Sequence, residues 1–394
     1  MSIFTAPSKI IITCSKRLAP YLAQEIIELG YTPVRTFITG VELRGTVNDC
    51  ITLNLNLRCA SQVLYSLKEF SCNGPDELYD ALIRYPWEEL LTPDHYFSVT
   101  SNAEHFTVNN ELFVNVKVKD AIADRMRRET LKRPDSGPDL TGAVFHLYWR
   151  DERAEIFFDT SGETLAKHGY RKIPGKAPML EALAAATVMA TKWDRKSVFI
   201  NPMCGSGTVA IEAALIATHK RPGLFRKNYS FMHMVGYDEK YFQLEFKKLK
   251  DQILTVDGLK IIVSDISEDA INIARVNAGL AGVENLMTFE VCDFEATPIP
   301  QGKGVIYFNP EYGERLGEIS ELEVTYARLG DFMKKKCQGY LGYIFTGNLD
   351  LAKKIGLKAS RRIEFYTSKI DCRLLEYELY GGSRREPKMI KNTE

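Results

Sequence analysis

Residues 198–212 read VFINPMCGSGTVAIE, and this stretch decides the class of fold. An apolar run leads into Gly205, Ser206 and Gly207, and the residues that follow are typical of a helix. This order predicts a buried strand, a tight turn and a helix. Glycines in such a turn let the backbone approach a ligand closely, and the N-terminus of the helix offers free N–H groups. Because a tight turn between a strand and a helix can also occur without a ligand, the interpretation as a binding loop depends on residues at the ends of the neighbouring strands.

Two further strands of the predicted sheet are followed by carboxylates. Asp265 follows an apolar run in IIVSDIS (residues 261–267), and Asp293 follows the next strand in FEVCDFEA (residues 289–296). Ligands of open α/β sheets bind at the carboxyl ends of parallel strands, where a carboxylate can accept hydrogen bonds from ribose hydroxyls. Asp293 is then placed to accept from an adenine amine. Each aspartate alone can be a helix cap, but together with the glycine loop they favour a nucleoside site.

The glycine loop differs from two common nucleotide-binding motifs. It does not match GxxxxGK[ST], which argues against phosphate transfer. A dinucleotide fingerprint requires GxGxxG, whereas Gly207 is followed here by Thr208 and Val209. The missing third glycine therefore argues against a nucleotide-dependent oxidoreductase.

The fourth strand leads into the sequence NPEY at residues 309–312. An exocyclic amine on a base is a poor nucleophile because its lone pair is delocalised into the ring. The side-chain oxygen of Asn309 and the carbonyl of Pro310 can accept its two hydrogens, and Tyr312 can stack on a base that is flipped out of its helix. Asn-Pro followed by Gly313 is also common in β-turns. The interpretation as a catalytic loop therefore depends on the glycine loop upstream.

These motifs resemble the THUMP-domain rRNA guanine-N2 methyltransferases of bacteria, which use S-adenosylmethionine (SAM). The resemblance covers nearly the whole chain. It implies an α/β fold in which a ferredoxin-like domain (1–65) and a THUMP RNA-binding domain (66–168), both α+β, precede a Rossmann-like class I methyltransferase domain (169–394). The matching residues are 159–162, Leu165, 169–171, 177–178, Glu181, 184–186, 201–208, 211–214 and 309–315.

The resemblance also implies the roles of individual residues. The guanine would be held by Asn309, Pro310 and Tyr312, which are the expected catalytic residues. The methionine end of SAM would lie at Asn201 and the glycine loop, the ribose at Asp265 and the adenine at Asp293. The complete expected cofactor site is Asn201, Cys204, Gly205, Gly207, Asp265, Ile266 and Asp293.

The sequence departs from the family pattern at two positions. Asn201 stands where the family usually has Asp, so its amide can accept a hydrogen bond from the SAM ammonium group but adds no attraction between opposite charges. Glu311 stands where the family usually has a second proline, which leaves the loop freer and adds a negative charge that can point outward or pair with Arg315. Both departures keep open the alternative of a weakly active or inactive relative that acts as an RNA-binding or assembly factor.

Charge patterning predicts where RNA binds. The 394 residues contain 51 Lys+Arg and 51 Asp+Glu, so a polycationic protein is excluded, but a local basic face is not. Residues 115–133 hold seven basic and three acidic side chains, and residues 213–237 hold four basic side chains, no acid and several aromatics. Such segments suit phosphate contact and stacking on unpaired bases, although a solvated face looks similar. The predicted RNA contacts are Lys117, Arg125, Arg127, Arg128, Lys132, Arg133, Arg171, Arg221, Arg226 and Lys227.

Cysteine usage and hydropathy set the expected compartment. The eight cysteines contain no CxxC pair and lie mostly in apolar runs, which predicts buried reduced thiols of a cytoplasmic protein and neither disulfides nor a metal site. No signal peptide is expected at the N-terminus. No apolar run approaches the ~20 residues that a membrane span requires. His168 and His233 are assigned no catalytic role, and residues 382–394 are expected to form a mobile tail.

Local patterns also predict individual elements. In the first 170 residues, strands are expected at 8–14, 34–45, 51–57, 96–101, 112–116, 143–150 and 153–160. Helices are expected at 18–29, 61–70, 75–91 with a break at Pro86, and 117–129. After residue 175, strands and helices alternate, which predicts a mostly parallel sheet covered on both faces. Residues 360–367 and 371–380 are expected to form a terminal hairpin.

The sequence therefore predicts a SAM-dependent RNA methyltransferase that forms N2-methylguanosine, with structured 23S rRNA as the expected substrate. A tRNA guanine-N2 methyltransferase is the alternative within the same enzyme class, because both groups use THUMP domains and a similar loop. The RNA-binding factor is the alternative without catalysis.

Overall fold

The structure is a computed structural model that describes residues 2–108, 110–173, 178–313, 319–367 and 370–380. The predicted tail, Ala177 and Arg315 lie outside these residues. The chain divides into two units, which are described separately. The first comprises Met1–Lys172, Met179–Thr187 and Leu215–Thr255, and the second comprises Ile173–Pro178, Val188–Ala214 and Val256–Glu394.

The first eleven elements belong to the first unit. In chain order they are β1 (Ser8–Thr13), α1 (Ala19–Glu28), β2 (Arg35–Phe37), β3 (Gly40–Gly45), α2 (Val47–Asn56), β4 (Gln62–Ser71), α3 (Pro75–Ile83), β5 (Phe97–Glu104), α4 (Glu111–Thr130), β6 (Ala143–Arg150) and β7 (Arg153–Asp159).

The remaining elements begin with a helix that both units share. In chain order they are α5 (Glu181–Ala190), β8 (Val198–Pro202), α6 (Thr208–Ala217), α7 (Glu239–Asp251), β9 (Ile261–Asp265), α8 (Glu268–Leu280), β10 (Met287–Val291), β11 (Gly304–Phe308), α9 (Ile319–Lys336), β12 (Leu341–Thr346), α10 (Leu349–Lys354), β13 (Arg361–Thr367) and β14 (Ile370–Glu378). The sequence patterns did not predict α7 or α10.

The first unit is built on a seven-stranded sheet with the order β2-β3-β1-β4-β7-β6-β5. All neighbouring strands are antiparallel except β5 and β6, which are parallel. Because β4 pairs with both β1 and β7, the N-terminal strands and those after residue 96 share one sheet. The predicted domain boundary between residues 65 and 66 falls inside β4.

The strand predicted at residues 51–57 is wrong, because this segment lies in α2. Its sequence ITLNLNL alternates apolar and polar residues, which is the pattern of a half-buried strand. In the structure Asn54 and Asn56 are buried, and each side chain donates to the carbonyl four residues earlier. Thr46 and Asp49 form a capping box that begins the helix. The amide-to-carbonyl hydrogen bonds and the cap therefore override the alternation.

Two further predictions in this unit are wrong. Residues 61–70, predicted as a helix, form most of β4, because pairing with strands on both sides decides their conformation. Residues 112–116, predicted as a strand, are the first turns of α4. That helix begins after Asn110, whose side-chain oxygen accepts from the backbone N–H of Leu112 at 2.8 Å.

The second unit has the predicted alternation of strands and helices. Its sheet has the order β10-β9-β8-β11-β12-β14-β13, with the first five strands parallel. The predicted terminal hairpin, β13 and β14, is antiparallel and extends this sheet beside β12. Since β9 and β11 flank β8 on opposite sides, the strand order reverses at β8. Ligands of open α/β sheets bind at such a point, outside the carboxyl ends of the strands.

The cysteines, the helices and the clusters of possible metal ligands relate to three sequence predictions, which concern buried reduced thiols, membrane spans and metal sites. All eight cysteines are free; six are buried, whereas Cys204 and Cys292 are half-buried, so the prediction of burial is wrong for these two. In the part of the chain that the structure describes, no helix combines the length and apolarity needed to cross a membrane. Among the same residues, no three His, Cys, Asp or Glu side chains come together in a way that could hold a metal ion.

Candidate functional site

The glycine loop connects β8 to α6, and its backbone accounts for both glycines. Gly205 and Gly207 have positive φ angles of 54° and 76°, in the region that favours glycine. A Cβ atom at Gly207 would lie 2.9 Å from the Cβ atom of Ala274, so this glycine also lets α6 approach α8. A Cβ atom at Gly205 would meet no described heavy atom within 4 Å beyond its chain neighbours. The space at Gly205 is therefore open to a ligand.

Asn201 is the penultimate residue of β8, and its buried side chain has only part of its hydrogen-bonding capacity filled. Its Nδ2 atom donates to the backbone carbonyl of Tyr307 in β11 at 2.9 Å. Its Oδ1 atom is buried and has no hydrogen-bond partner among the described residues. An unpaired buried acceptor costs about 1–3 kcal/mol. The site can recover this free energy if a ligand brings a donor, such as an ammonium group, to Oδ1.

Asp265 ends β9 and supports the glycine loop. Its Oδ2 atom accepts from the backbone N–H of Gly205 at 2.9 Å, and its Oδ1 atom accepts from that of Ser267 at 3.0 Å. The neighbouring Ile266 has an exposed side chain, which offers an apolar surface beside the carboxylate. Burial raises the pKa of the Cys204 thiol well above its ordinary value, and the Asp265 charge adds to this effect. These effects favour the protonated thiol, which is less nucleophilic than the thiolate.

Asp293 follows β10 and has a partner that no sequence pattern indicated. Its Oδ1 atom accepts from the backbone N–H of Glu295 and from the guanidinium of Arg328 in α9, both at 2.9 Å. Arg328 also donates to Oε2 of Glu295 at 2.7 Å and lies 4.8 Å from the ring centre of Phe294. Among the described residues, Oδ2 of Asp293 has no hydrogen-bond partner. The carboxylate therefore keeps one free acceptor.

The loop after β11 carries the predicted catalytic residues. Asn309 and Tyr312 are half-buried, Pro310 is buried and Glu311 is exposed. Within the described residues, the Asn309 side chain has no hydrogen-bond partner. The Tyr312 ring lies 3.1 Å from the position that a Cβ atom on Gly347 would take, so the glycine makes room for the ring.

The loop after β11 and the glycine loop lie side by side, because β11 pairs with β8. The hydrogen bond from Asn201 to the Tyr307 carbonyl also joins these two strands. The structure therefore brings together the carboxyl ends of β8, β9, β10 and β11, with all ten residues predicted for the cofactor and the base at or just beyond them. The carboxylates at the ends of β9 and β10 can accept hydrogen bonds from a nucleoside. The Asn309 amide and the Tyr312 ring, on the loop after β11, can hold a second group that carries an amine.

Of the predicted RNA contacts at α4 and the residues after it, four are exposed and Lys117 is half-buried. Arg127, Arg128, Lys132 and Arg133 have 64%, 55%, 58% and 47% of their side-chain surface exposed, and Lys117 has 31%. Each is near an acidic side chain, but ion pairs at such exposure contribute little free energy and exchange readily for another anion. These residues are therefore accessible to a phosphate backbone.

Three other predicted RNA contacts have structural partners. Arg226 donates to the backbone carbonyls of Ser161, Glu163 and Thr164, and Arg171 forms an ion pair with Glu181 at 2.9 Å. Arg125 pairs with Glu88. Arg221 is half-buried and Lys227 is exposed.

Two of the aromatic residues of the basic segment 213–237, which were expected to stack on unpaired bases, lie inside the first unit. Tyr229 and Phe231 have no exposed surface, and their rings stack on each other at 4.9 Å. The prediction that they stack on RNA bases is therefore wrong. Arg226 lies 4.8 Å from the ring centre of Tyr229, so the +4 charge of this segment is partly internal.

Three family models match successive parts of the chain. The RlmL ferredoxin-like domain matches residues 9–64, the THUMP domain residues 73–159, and the RMKL-like methyltransferase domain residues 168–376. These matches confirm the predicted kinds and order of domains.

Curated relatives and solved structures agree with these matches. A protein from Syntrophotalea carbinolica named ribosomal RNA large subunit methyltransferase K/L is 34% identical, covering 95% of this chain and 54% of the relative. A protein from Clostridium difficile 630 has a TM-score of 0.86 at 29% identity, covering 96% of this chain and all of its own. SMU.472, solved with SAH, has a TM-score of 0.85 at 25% identity, covering 96% of this chain and 99% of its own. The chain spans about half the length of the curated relatives it matches.

Proposed function

The chain belongs to the family of RMKL-like methyltransferase domains, and from this premise we propose that it is a SAM-dependent enzyme that forms N2-methylguanosine in 23S rRNA. The observation that carries the proposal is the meeting of Asn201, Asp265, Asp293 and Asn309 at the carboxyl ends of four adjacent parallel strands. The names of the curated relatives support the large-subunit RNA as substrate.

We propose that SAM binds along β8, β9 and β10. The buried, unpaired Oδ1 atom of Asn201 suits a donor from the ammonium group, and the open space at Gly205 suits a close approach of the ligand to the backbone. Asp265 would accept hydrogen bonds from the ribose hydroxyls. The free Oδ2 atom of Asp293 would accept a hydrogen bond from the adenine amine, and the Ile266 side chain would pack against the adenine ring. SAM supplies an electrophilic methyl group when it is bound.

The residues after β11 would prepare the guanine amine. The side-chain oxygen of Asn309 and the carbonyl of Pro310 accept its two N2 hydrogens, which turns the nitrogen lone pair away from the ring system. The Tyr312 ring stacks on the flipped base and fixes its plane. The nitrogen forms its new bond to the methyl carbon as the sulfur–carbon bond breaks, and the proton then leaves to water. The rate enhancement comes mainly from positioning, because the chemistry needs no strong base.

The RNA would be gripped by the THUMP part of the first unit. The exposed residues Arg127, Arg128, Lys132 and Arg133, with the half-buried Lys117, would offer cations to the phosphate backbone. Lys227, which is exposed, and Arg221, which is half-buried, would add further phosphate contacts. Arg125, Arg171 and Arg226 would act only by stabilising the fold around them. We propose a cytoplasmic location, because the proposed substrate is ribosomal RNA.

The test is nucleoside analysis after incubation of the protein with methyl-labelled SAM and unmodified 23S rRNA or total tRNA. The proposal expects labelled N2-methylguanosine in the rRNA, and none with Asn309→Ala. Label confined to tRNA would move the substrate to that class. An absence of label from both RNAs, with RNA binding intact, would favour an RNA-binding factor.

A further inference from the structure

Arg328 connects α9 to the turn after β10 through three consecutive residues. Its guanidinium donates to Oδ1 of Asp293 at 2.9 Å and to Oε2 of Glu295 at 2.7 Å, and it lies 4.8 Å from the ring centre of Phe294. Phe294 is itself buried, and its ring packs edge-on against Phe332 of α9. The arginine therefore sits over a fixed platform and is more ordered than an ordinary surface arginine.

These contacts fix how the Asp293 carboxylate is presented. Two donors, the backbone N–H of Glu295 and the guanidinium of Arg328, converge on Oδ1. Charge-assisted hydrogen bonds of this kind are about twice as strong as neutral ones. With Oδ1 held, rotation about the carboxylate is restricted, and Oδ2 remains as the acceptor without a described partner.

The charge balance at this turn also depends on Arg328. Asp293 and Glu295 place two carboxylates two residues apart, with 36% and 44% of their side-chain surface exposed. The single guanidinium binds both and raises its own pKa in doing so. Without it, mutual repulsion would push the two carboxylates apart and turn Asp293 from its present orientation.

We infer that Arg328 is a positioning residue that makes Asp293 selective for the adenine end of SAM. The inference rests on the proposed function, because it takes Asp293 as the adenine contact. An adenine amine donates a hydrogen bond to a held carboxylate oxygen. A hypoxanthine base has a carbonyl oxygen at the same place, which a carboxylate repels. Fixing Oδ2 therefore strengthens both the attraction of the one base and the rejection of the other.

The experiment compares the affinities of two ligands, S-adenosylhomocysteine and S-inosylhomocysteine, by calorimetry. The variants are Arg328→Met, which keeps an apolar stem over Phe294, and Arg328→Lys, which keeps the charge but not the planar fork. Arg275→Met is the matched control, because Arg275 in α8 also lies over a phenylalanine, at 4.6 Å from Phe289, and also pairs with a glutamate. Thermal unfolding of each variant shows whether it folds.

We expect the wild-type preference for the adenosyl ligand to fall about tenfold in Arg328→Met, which corresponds to ~1.4 kcal/mol. Arg328→Lys should recover part of the preference, and Arg275→Met should retain all of it. A preference within twofold of wild type in folded Arg328→Met, or an equal loss for both ligands, would overturn the inference. If wild type binds neither ligand, the proposed cofactor and with it the proposed function fail, which is a different result. If Arg328→Met does not fold, Arg328→Lys decides: a fall in the preference of more than twofold supports the inference, and a preference within twofold of wild type overturns it.

Discussion

The Oδ2 atom of Asp265 accepts a hydrogen bond from the backbone N–H of Gly205 at 2.9 Å. One carboxylate thus holds the glycine loop after β8 to the end of β9, and in the proposed function the same carboxylate contacts the ribose. The loop has two glycines at positive φ and Met203 at a φ of 54°, which is uncommon for a residue with a side chain. Such a backbone needs fixed partners, and Asp265 is one of them.

Asp265→Ala should therefore weaken SAM binding more than the loss of one ligand contact would. A charge-assisted hydrogen bond contributes about 1.5–3 kcal/mol, so the affinity should fall by at least roughly tenfold. RNA affinity should stay near that of wild type. Calorimetric titration measures the SAM affinity, and a filter-binding assay measures the RNA affinity. SAM affinity within twofold of wild type would show that Asp265 does not contact the ligand.

Arg127→Glu combined with Arg128→Glu should weaken RNA binding and flatten its dependence on salt. Each phosphate contact that is lost reduces the slope of log affinity against log salt by about 0.7–0.9. The control is Lys240→Glu with Lys247→Glu, which changes the net charge equally at two exposed positions of α7. An equal effect in both double variants would indicate a general charge effect and would count against a contact at α4.

The second unit could be predicted in more detail than the first, and the reason is physical. Parallel strands are buried on both faces, so runs such as VFINP and GVIYF stand out as apolar segments between helices. The residues that follow them are few and chemically distinctive, so Asp265, Asp293 and Asn309 could be placed from the sequence. In the first unit, residues 51–57 and 61–70 had local patterns that pairing and capping overrode.

The contacts that depend on tertiary structure could not be predicted. The sequence predicts Arg226 as an RNA contact because it lies in a basic segment, yet its guanidinium donates to four backbone carbonyls. No sequence pattern pointed to Arg328, yet it donates a hydrogen bond to Asp293. The local sequence does not show whether a charged side chain faces water or an internal acceptor. A prediction based on charge composition alone therefore assigns some internal side chains to the surface.

The free energy of unfolding should depend on pH through Asp159, which ends β7. Complete burial raises the pKa of Asp159 to about 7, although the backbone N–H groups of Ser161 and Gly162 and the side chain of Gln62 oppose the shift by donating to it. The native state then holds a proton that the unfolded chain has lost between about pH 4 and pH 7. Stability should therefore fall as the pH rises through this window, by at most about 1.4 kcal/mol per pH unit, and level off above it.

Asp159→Asn isolates this effect, since the amide keeps one acceptor oxygen for the two backbone donors and does not titrate. Chemical denaturation of both proteins at several values between pH 4 and pH 8 gives the comparison. The variant should lack the additional downward slope of the wild type. Parallel curves for the two proteins would mean that Asp159 does not carry the proton.

Tyr312→Ala should reduce methyl transfer by removing the face on which the flipped base stacks. Stacking of a base on an aromatic side chain contributes about 1–3 kcal/mol. Tyr312→Phe keeps the ring and should retain most of the activity, because the stacking face is unchanged. Single-turnover rates with labelled SAM on unmodified rRNA distinguish the two variants. An equal loss in Tyr312→Phe would assign the role to the hydroxyl and not to the ring.

Glu311→Pro tests whether the loop after β11 limits turnover. The backbone N–H of Glu311 has no acceptor among the described residues, and the side chain is exposed, so proline removes neither a described hydrogen bond nor a buried contact. A proline at a compatible position stabilises by about 0.4–1 kcal/mol, mainly by restricting the unfolded chain. We expect the single-turnover rate to be preserved or raised. A large loss would show that the Glu311 carboxylate itself takes part.

Asn309→Ala separates catalysis from binding most sharply. The Asn309 amide is half-buried and makes no hydrogen bond to a described residue, so its removal should leave the fold, SAM affinity and RNA affinity unchanged. If the amide oxygen holds the amine only in the reacting geometry, its loss should lower the rate and not the affinities. Removal of one preorganised hydrogen-bonding group from an active site typically costs about 100- to 1000-fold in rate. Single-turnover rates measured beside both binding constants give the answer. A wild-type rate in Asn309→Ala would rule out the assignment of this loop as catalytic, whereas a reduced rate with weakened SAM binding would place Asn309 in the cofactor site instead.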